Sequence, residues 1–377
     1  MAAFEPTQEI RFALVMYGGV SLAIYMNGIS QELLHLVRAT APSDPMADEP
    51  TETLPDPEST EVVYRKLGQL LAHGCEPPTT RPEPSDPVRT RFVVDIISGS
   101  SAGGINGVFL GKALANRQSI RKLKDLWVEE GAIDRLLNDR RSVKDLNLRR
   151  PQGAPDSLLS GPRMYWLPLD ALDKMDAESP AVPSPFVEEL DLWVTTTDLW
   201  GLTLPVKLSN GVVKERRYRN VFRFAYRTLG TAGEDRSDFG ADVNPMLAFA
   251  ARCTSSFPFA FPPMMLTDTD AVLRAKAGHS AREGSGNATW GKRFFPDYVR
   301  ADDPYQHRSF GDGGDLDNKP FSWAISNIVF RPATYPVHRK LAFIEPDPGH
   351  PEQQETPTDR PDPVTSVRLA ALLARQE

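Results

Sequence analysis

The sequence predicts an α/β fold, in which helices cover both faces of a central, mostly parallel β-sheet. Apolar runs at residues 11–17 and 92–97 have the length and composition of buried strands. Each run ends in small residues, and apolar residues at helical spacing follow it. Short apolar strands that alternate with helices are typical of a sheet covered on both faces. We expect residues 1–345 to form one large domain.

Further periodic segments complete this prediction. Apolar spacing predicts helices at residues 29–37, 63–71, 120–127 and 243–252, and strands at residues 190–197 and 340–345. Asn210 and Gly211 predict a hairpin between residues 206–208 and 212–218. Residues 140–185 are rich in proline, arginine and aspartate, which predicts irregular structure.

Two regions differ in composition from the rest of the chain. Residues 41–90 are rich in proline and acidic residues, which predicts an exposed insertion interrupted by one short helix. Residues 346–365 are rich in proline and aspartate, and an amphipathic helix that the chain end cuts off follows them. We expect residues 346–377 to form a tail outside the main domain.

Composition and charge disfavour several classes of protein. The chain is 40% hydrophobic and 25% charged, with a net charge of −7, which disfavours general nucleic-acid binding. Cys75 and Cys253 are the only cysteines. Because two thiols cannot staple a chain of this size, we expect a reducing, cytoplasmic compartment. The 6 histidines lack the spacing of a metal site, and we expect neither a metal nor another cofactor.

An apolar stretch at residues 12–26 is the one segment that resembles a targeting or membrane signal. Glu5 and Glu9 precede it, whereas a signal peptide begins with positive charges. Gly18 and Gly19 interrupt it, and it is shorter than the roughly 20 residues that a transmembrane helix needs. A buried strand that leads into a helix is the better interpretation, so we expect no transmembrane segment.

Residues 99–103 carry the sharpest chemical signal. The sequence Gly99-Ser100-Ser101-Ala102-Gly103 follows a predicted strand and precedes a helical pattern. A G-x-S-x-G sequence in this position is typical of a nucleophile elbow, where glycines permit a sharp turn and the serine hydroxyl is exposed at a helix N-terminus. The helix N–H groups there favour developing negative charge. Ser101 is therefore the candidate nucleophile, and an ordinary small-residue turn is the alternative.

Two further glycine pairs are candidate parts of the same site. Gly18 and Gly19 follow the first predicted strand, and consecutive N–H groups can point at one oxygen, as in an oxyanion hole. Asp312 leads the pair Gly313-Gly314 and is a candidate base. Taken singly, each pair is better explained as a tight turn.

Together, these motifs resemble the patatin-like phospholipase family. Members of that family carry a glycine-rich oxyanion loop, a G-x-S-x-G elbow and an Asp-Gly-Gly or Asp-Gly-Ala motif that holds the second catalytic residue. Gly18-Gly19, Gly99–Gly103 and Asp312-Gly313 match these motifs in that order. A serine, proline and phenylalanine segment at residues 255–263 is similar to another stretch of the family. The resemblance covers residues 10–345 and implies a three-layer α/β/α hydrolase.

The oxyanion loop departs from the family pattern at two positions. Family loops usually read Asp-Gly-Gly-Gly-x-Arg-Gly, whereas this chain has Tyr17 in place of the first glycine and Ser21 in place of the arginine. The two backbone donors at Gly18 and Gly19 are retained. The stretch that follows looks closest to long bacterial patatin-related proteins, and an additional C-terminal region of the full-length protein is thus expected.

The resemblance implies that Ser101 and Asp312 act as a dyad. Asp312 would accept the Ser101 proton as the hydroxyl attacks an ester carbonyl, and water would then cleave the acyl-enzyme. Burial would have to raise the pKa of Asp312, because a carboxylate with a pKa of about 4 is a weak base near neutral pH. Two alternatives stay open: a conventional Ser101–Asp312–His338 triad, and a lipid-binding scaffold without turnover. The triad is disfavoured because only two predicted strands precede Ser101.

The resemblance also implies the substrate, a lipid acyl ester such as a phospholipid or lysophospholipid at a membrane surface. An apolar, proline-stiffened stretch either lines an acyl-chain pocket or packs in the core; it contains Phe257, Phe259, Phe261, Met264 and Met265. We expect a cytoplasmic protein with, at most, peripheral contact with the membrane.

Overall fold

The computed structural model describes residues 4–19, 23–42, 59–72, 82–83, 86–121, 123–125, 133–139, 141–148, 155, 157–179, 184–228 and 235–345. These residues form seven strands: β1 (Phe4–Met16), β2 (Val88–Gly99), β3 (Glu189–Leu208), β4 (Gly211–Arg227), β5 (Arg236–Ser237), β6 (Phe310–Asp312) and β7 (Val337–Ile344). They also form twelve α-helices: α1 (Ala23–Thr40), α2 (Glu61–Leu70), α3 (Ala102–Asn116), α4 (Leu123–Asp125), α5 (Ile133–Leu136), α6 (Gly161–Glu178), α7 (Asn244–Thr254), α8 (Thr269–Ala275), α9 (Trp290–Phe294), α10 (Pro296–Arg300), α11 (Gly314–Asp317) and α12 (Phe321–Ile328).

One sheet organises these elements. Its strand order is β5-β4-β3-β2-β1-β7, and β6 pairs with β3 off this path. β7, β1, β2 and β3 run parallel, whereas β4, β5 and β6 pair antiparallel with their neighbours. Parallel neighbours need long crossover connections, and helices lie between β1 and β2 and between β2 and β3 in the chain. The predicted central, mostly parallel sheet is confirmed.

Alternate residues of β1 face two different layers of helices. Leu14 and Met16 pack into the larger core, to which α1, α3, α6 and α7 contribute. Ala13 and Val15 point the other way and pack with Ala324 of α12. All of these side chains are fully buried, as expected for a strand covered on both faces. The three-layer α/β/α architecture is thereby confirmed.

Most predicted elements overlap an observed one. The predicted strands at 11–17, 92–97, 190–197 and 340–345 correspond to β1, β2, β3 and β7, and the predicted helices at 29–37, 63–71 and 243–252 correspond to α1, α2 and α7. Of the predicted helix at 120–127, the described residues include one turn, α4. The predicted tail at 346–377 and most of the insertion at 41–90 lie outside the described residues.

The expectation of irregular structure at residues 140–185 was wrong for residues 161–178, because the 18-residue helix α6 lies there. The Ser160 side chain accepts a hydrogen bond from the Arg163 N–H at 3.4 Å, and a proline stands in the first turn. Both features are typical of a helix start. Pro168 inside the helix and the charged residues around it concealed an apolar face that is buried in the structure.

The β3–β4 hairpin is much longer than predicted. Its two-residue turn is Ser209-Asn210, one position before the predicted Asn210-Gly211, because Leu208 pairs with Gly211. The paired strands extend back to Glu189 and Arg227. β3 thereby contacts β2, β4 and β6 along its length.

Candidate active site

Ser101 lies in the turn between β2 and α3, as the elbow motif predicts. Its backbone has φ 50° and ψ −123°, which is unusual for a residue with a side chain and typical of strained functional turns. A Cβ at Gly99 would stand 2.5 Å from the Gly103 carbonyl oxygen, and one at Gly103 would stand 2.3 Å from the Met16 carbonyl oxygen. The two glycines therefore allow the turn to pack against β1.

The Ser101 side chain contacts Asp312. Its hydroxyl donates a hydrogen bond to Asp312 Oδ2 at 3.1 Å. Strand β6 carries Asp312 to this position, because it pairs with β3 and sets Asp312 opposite Thr196. Asp312 Oδ1 accepts from the Gly314 N–H at 2.7 Å, and the Asp312 carbonyl oxygen accepts from the Thr197 hydroxyl at 2.7 Å. These contacts hold the carboxylate in one orientation.

Burial controls the proton affinity of Asp312. The residue is 3% exposed. Loss of hydration raises the pKa of its carboxyl group to about 7, and the charge of Asp315 acts in the same direction. The Gly314 N–H, the Ser101 hydroxyl and the Arg252 guanidinium lower the pKa, but by less. A carboxylate of this pKa is a stronger base than an ordinary aspartate.

Gly18 approaches the candidate nucleophile closely. The point where a Gly18 Cβ would stand lies 2.3 Å from Asn318 Oδ1, 2.9 Å from the Ser101 Cβ and 3.2 Å from the Ser100 carbonyl oxygen. No side chain fits there without moving these atoms. Gly18 therefore brings its backbone against the elbow, where a larger residue would hold the two apart.

The backbone N–H groups of Gly18 and Gly19 are the candidate donors of an oxyanion hole. Gly18 is buried and Gly19 is half-buried. Within the described residues, no backbone carbonyl accepts a hydrogen bond from either N–H. Ser21, which replaces the arginine of the family pattern, lies outside the described residues.

Sequence reasoning missed two polar residues at this site. Thr254, at the end of α7, accepts a hydrogen bond from the Ser101 N–H at 2.8 Å through its hydroxyl. Asn318 has a buried Oδ1 with no hydrogen-bond partner among the described residues, and this atom is the one that abuts Gly18. The position of Asn318 shortly after Asp312 could have identified it as a site residue. Nothing in the sequence distinguished Thr254 from the serines beside it.

His338 lies far from the elbow. It is exposed on β7 and pairs with Ile10 of β1, whereas Met16, six residues farther along β1, pairs with Gly99 at the elbow. Six residues of a strand span about 20 Å. The arrangement leaves His338 at the wrong level of the sheet for a triad with Ser101.

The aromatic segment after α7 does not act as one unit. Phe257 and Phe259 are exposed, the latter by 83%. Phe261 packs against the core, with the Arg252 guanidinium 4.7 Å from its ring centre, and Met264 is buried in the core. Core packing therefore explains the second half of the segment, while the first half faces solvent.

Residues 88–325 match the sequence profile of the patatin-like phospholipase family. This match covers more than half of the chain and includes both Ser101 and Asp312. The chain belongs to the patatin-like phospholipase family. The resemblance that the motifs indicated is thereby confirmed.

One relative of this patatin-like chain is an uncharacterized membrane protein of Mycobacterium tuberculosis, which is 33% identical over 366 residues. The alignment covers 94% of this chain and 29% of the relative, so the chain spans less than a third of that protein's length. No solved structure gives a significant match. Within the described residues, no helix has both the length and the apolar character needed to cross a bilayer.

Proposed function

We propose that this chain is a serine acyl hydrolase that cleaves lipid acyl esters through a Ser–Asp dyad. The observation that carries the proposal is the 3.1 Å hydrogen bond from the Ser101 hydroxyl to Asp312, a buried carboxylate whose pKa is raised to about 7. Membership of the patatin-like phospholipase family supports a lipid ester as substrate. We infer a phospholipid or lysophospholipid.

The first half of the reaction forms an acyl-enzyme. The Ser101 oxygen attacks the ester carbonyl carbon while its proton passes to Asp312 Oδ2, and the carbonyl electron pair moves onto oxygen. Collapse of this tetrahedral intermediate expels the alcohol, which takes the proton from Asp312. In the second half, water attacks the acyl-enzyme, Asp312 accepts its proton and returns it to Ser101, and the fatty acid leaves.

The raised pKa of Asp312 supports its role as the base. General bases are most effective when their pKa lies near the working pH, because they are then both ionised and basic enough to accept the proton. An ordinary aspartate, with a pKa of about 4, is too weak a base to accept a serine proton efficiently. Burial beside Ser101 raises the pKa of Asp312 to about 7, which removes much of this mismatch.

The oxyanion would be held by the Gly18-Gly19 loop. The Ser101 N–H donates to the Thr254 hydroxyl at 2.8 Å and so is not one of the proposed donors. The N–H groups of Gly18 and Gly19 are the donors we propose, aided by the dipole of α3, which begins directly after Ser101. Loss of one such donor typically lowers kcat about 100- to 1000-fold.

We further propose that the substrate is reached at a membrane surface, from the cytoplasm. Phospholipids are presented there, and the relative from Mycobacterium tuberculosis is described as a membrane protein. To hydrolyse lipid esters in a bilayer, the catalytic region needs peripheral contact with the membrane. It does not need a transmembrane segment of its own.

Hydrolysis and active-site labelling test the proposal together. The 377-residue chain should hydrolyse p-nitrophenyl butyrate and a phosphatidylcholine with two different acyl chains, whose released fatty acids identify the cleaved ester. A fluorophosphonate probe should label Ser101 alone. Ser101→Ala should lose both hydrolysis and labelling while keeping its circular dichroism spectrum.

Ser100→Ala is the matched control. Its hydroxyl is buried and has no hydrogen-bond partner among the described residues, so its removal should leave labelling and turnover measurable. Labelling at another residue, with Ser101→Ala still active, would refute the proposed nucleophile. A folded chain that hydrolyses neither ester would favour the scaffold alternative.

A further inference from the structure

The outer part of the β3–β4 hairpin forms a separate two-stranded ribbon, residues 202–217. From the Leu202–Arg217 pair to the Leu208–Gly211 pair, its strands bond to each other and to no third strand of the part of the chain that the structure describes. Six steps along a strand give it a length of about 20 Å. An irregularity in the pairing just before Leu202 separates the ribbon from the rest of the sheet.

One face of the ribbon is apolar toward its tip, where it becomes uncovered, and carries Glu215 and Arg217 nearer its base. Alternation in a strand puts Leu202, Val206 and Leu208 on the same face as the cross-strand neighbour Val213. Leu202 is 3% exposed and belongs to the core, whereas Leu208 and Val213 are 45% and 48% exposed. Val212, beside the turn on the other face, is 64% exposed. Aliphatic side chains are therefore uncovered on both faces of the tip, and uncovered apolar surface is a common feature of interaction sites.

The opposite face of the ribbon is cationic. Lys207, Lys214 and Arg216 share it and are exposed, although the chain as a whole has a net charge of −7. Glu215 is the one acidic residue in the ribbon. The ribbon therefore combines uncovered apolar side chains with a local positive charge.

This combination fits the surface of an anionic lipid bilayer. Apolar side chains at the tip can enter the acyl region, while lysine stems extend along it and place their ammonium groups among the lipid head groups. Anionic lipids attract each lysine or arginine near the surface. A nucleic acid or an acidic peptide would satisfy the charges of Lys207 and Lys214 but would leave the apolar tip in water.

The ribbon leaves the sheet at the edge that carries the candidate active site. β3 runs parallel to β2, and Gly99, at the end of β2, pairs with Val194. The ribbon begins at Leu202, farther along β3 in the same direction. Asp312 lies between these two levels, on β6. A surface bound to the ribbon therefore meets the molecule at the edge where Ser101 is found.

We propose that the ribbon inserts its apolar tip into the surface of an anionic bilayer and holds the Ser101 edge of the sheet toward the lipid. The role of this membrane contact rests on the proposed function, which it deepens. Binding to the bilayer itself requires no turnover. Ser101→Ala should therefore bind vesicles as the wild-type chain does, and failure of hydrolysis can be told apart from failure of docking.

Cosedimentation of the 377-residue chain with lipid vesicles tests the contact. The wild-type chain should bind vesicles of equal parts phosphatidylcholine and phosphatidylglycerol much more tightly than vesicles of phosphatidylcholine alone. Binding should weaken as salt is raised, because the screening length falls from about 10 Å at 0.1 M to about 3 Å at 1 M. The double variants Val212→Ser/Val213→Ser and Lys207→Ser/Lys214→Ser should each bind on the order of tenfold more weakly.

A matched variant removes the same charge elsewhere. Arg274 and Arg282 are exposed and lie outside the ribbon, so Arg274→Ser/Arg282→Ser should bind anionic vesicles like the wild-type chain. Because all of these positions are exposed, circular dichroism should show native folding in every variant.

Three results would overturn the proposal. The first is that the wild-type chain does not sediment with anionic vesicles. The second is that the tip and lysine variants bind as tightly as the wild type. Alternatively, size-exclusion chromatography without lipid would show a wild-type dimer that Val212→Ser/Val213→Ser converts to a monomer, in which case a second copy of the chain covers the ribbon.

Discussion

The Ser101 hydroxyl lies 3.1 Å from Asp312 Oδ2, although 211 positions separate the two residues in the chain. The two strands that carry them both pair with β3, where Gly99 lies opposite Val194 and Asp312 lies opposite Thr196. Neighbouring stretches of one strand thus set the distance between the proposed nucleophile and base. The contact between the proposed nucleophile and base is therefore present without a substrate.

Gly18→Ala should lower kcat at least about 100-fold, the loss expected when an oxyanion donor is displaced. A Cβ at this position would collide with Asn318 Oδ1 and the Ser101 Cβ, so the loop must move away from the elbow. Steady-state kinetics on the short-chain ester should show the loss in kcat rather than in KM, because the oxyanion forms only as the reaction proceeds.

Gly28→Ala provides the control for this prediction. It lies within α1, and a Cβ there meets no atom within 4 Å, so alanine should keep full activity and stabilise the helix slightly. Full kcat in the folded fraction of Gly18→Ala would instead assign Gly18 a role in turn formation alone.

The pH dependence of kcat/KM should report Asp312. Because the base must be ionised and its pKa is raised to about 7, activity should fall about tenfold per unit below pH 7. Asn318→Asp should move this limb to higher pH. A Cβ at Gly314 would stand 3.0 Å from both Asn318 Oδ1 and Asp312 Oδ1, so the new carboxylate would lie near Asp312 and oppose its ionisation.

Asn318→Ala separates this charge effect from a packing effect. It removes the side chain without adding a charge, so its acid limb should stay near that of the wild type even if kcat falls. If the acid limb of kcat/KM lies at the same pH in Asn318→Asp as in the wild type, the two carboxylates are not close to each other in solution.

The sequence predicted the centre of the fold and site because local rules act there. The later parts of strands β1 and β2 are buried on both faces and are mostly apolar, and the turn at Ser101 can be made only with glycines at fixed offsets. Asp312 could be found through its glycine pair and the resemblance to a family. The burial of Asp312, and hence its raised pKa, depends on packing against β3. The sequence analysis inferred both only because the proposed reaction needs them.

Contacts between distant residues and interrupted periodic patterns account for what sequence analysis missed. Thr254 reaches Ser101 because α7 packs beside α3, and no local pattern records that contact. Helix α6 was missed because Pro168 interrupts its periodicity. The ribbon at 202–217 was predicted only as short segments, since its exposed strands lack the continuous apolar character of the sheet centre.

Asp312→Asn should be more stable than the wild type at pH 8, and the difference should shrink toward pH 4. Folding raises the pKa of this carboxyl from 3.8 to about 7, so the folded state binds more protons than the unfolded state between these values. The wild type therefore loses stability as pH rises through this window and carries a buried charge above it. Asparagine is neutral at every pH and removes that cost.

Urea unfolding of both proteins at several pH values measures this effect. The free energy of unfolding should differ by up to a few kcal/mol at pH 8. All other titrating groups are shared by the two proteins, so the change in the difference with pH isolates Asp312. An equal difference at pH 5 and pH 8 would show that Asp312 is not buried as a charged group.

Substitution of His338 and Asp312 distinguishes a dyad from a triad. If Asp312 is the base, Asp312→Asn should lose about as much activity as Ser101→Ala, because residues that act as a unit fail together. His338→Ala should stay close to wild type, since His338 lies about 20 Å along the sheet from the level of the elbow. Comparable collapse of His338→Ala, with the protein folded by circular dichroism, would require an imidazole base. The direct contact between Ser101 and Asp312 leaves no room for one between them, and we expect His338→Ala to remain active.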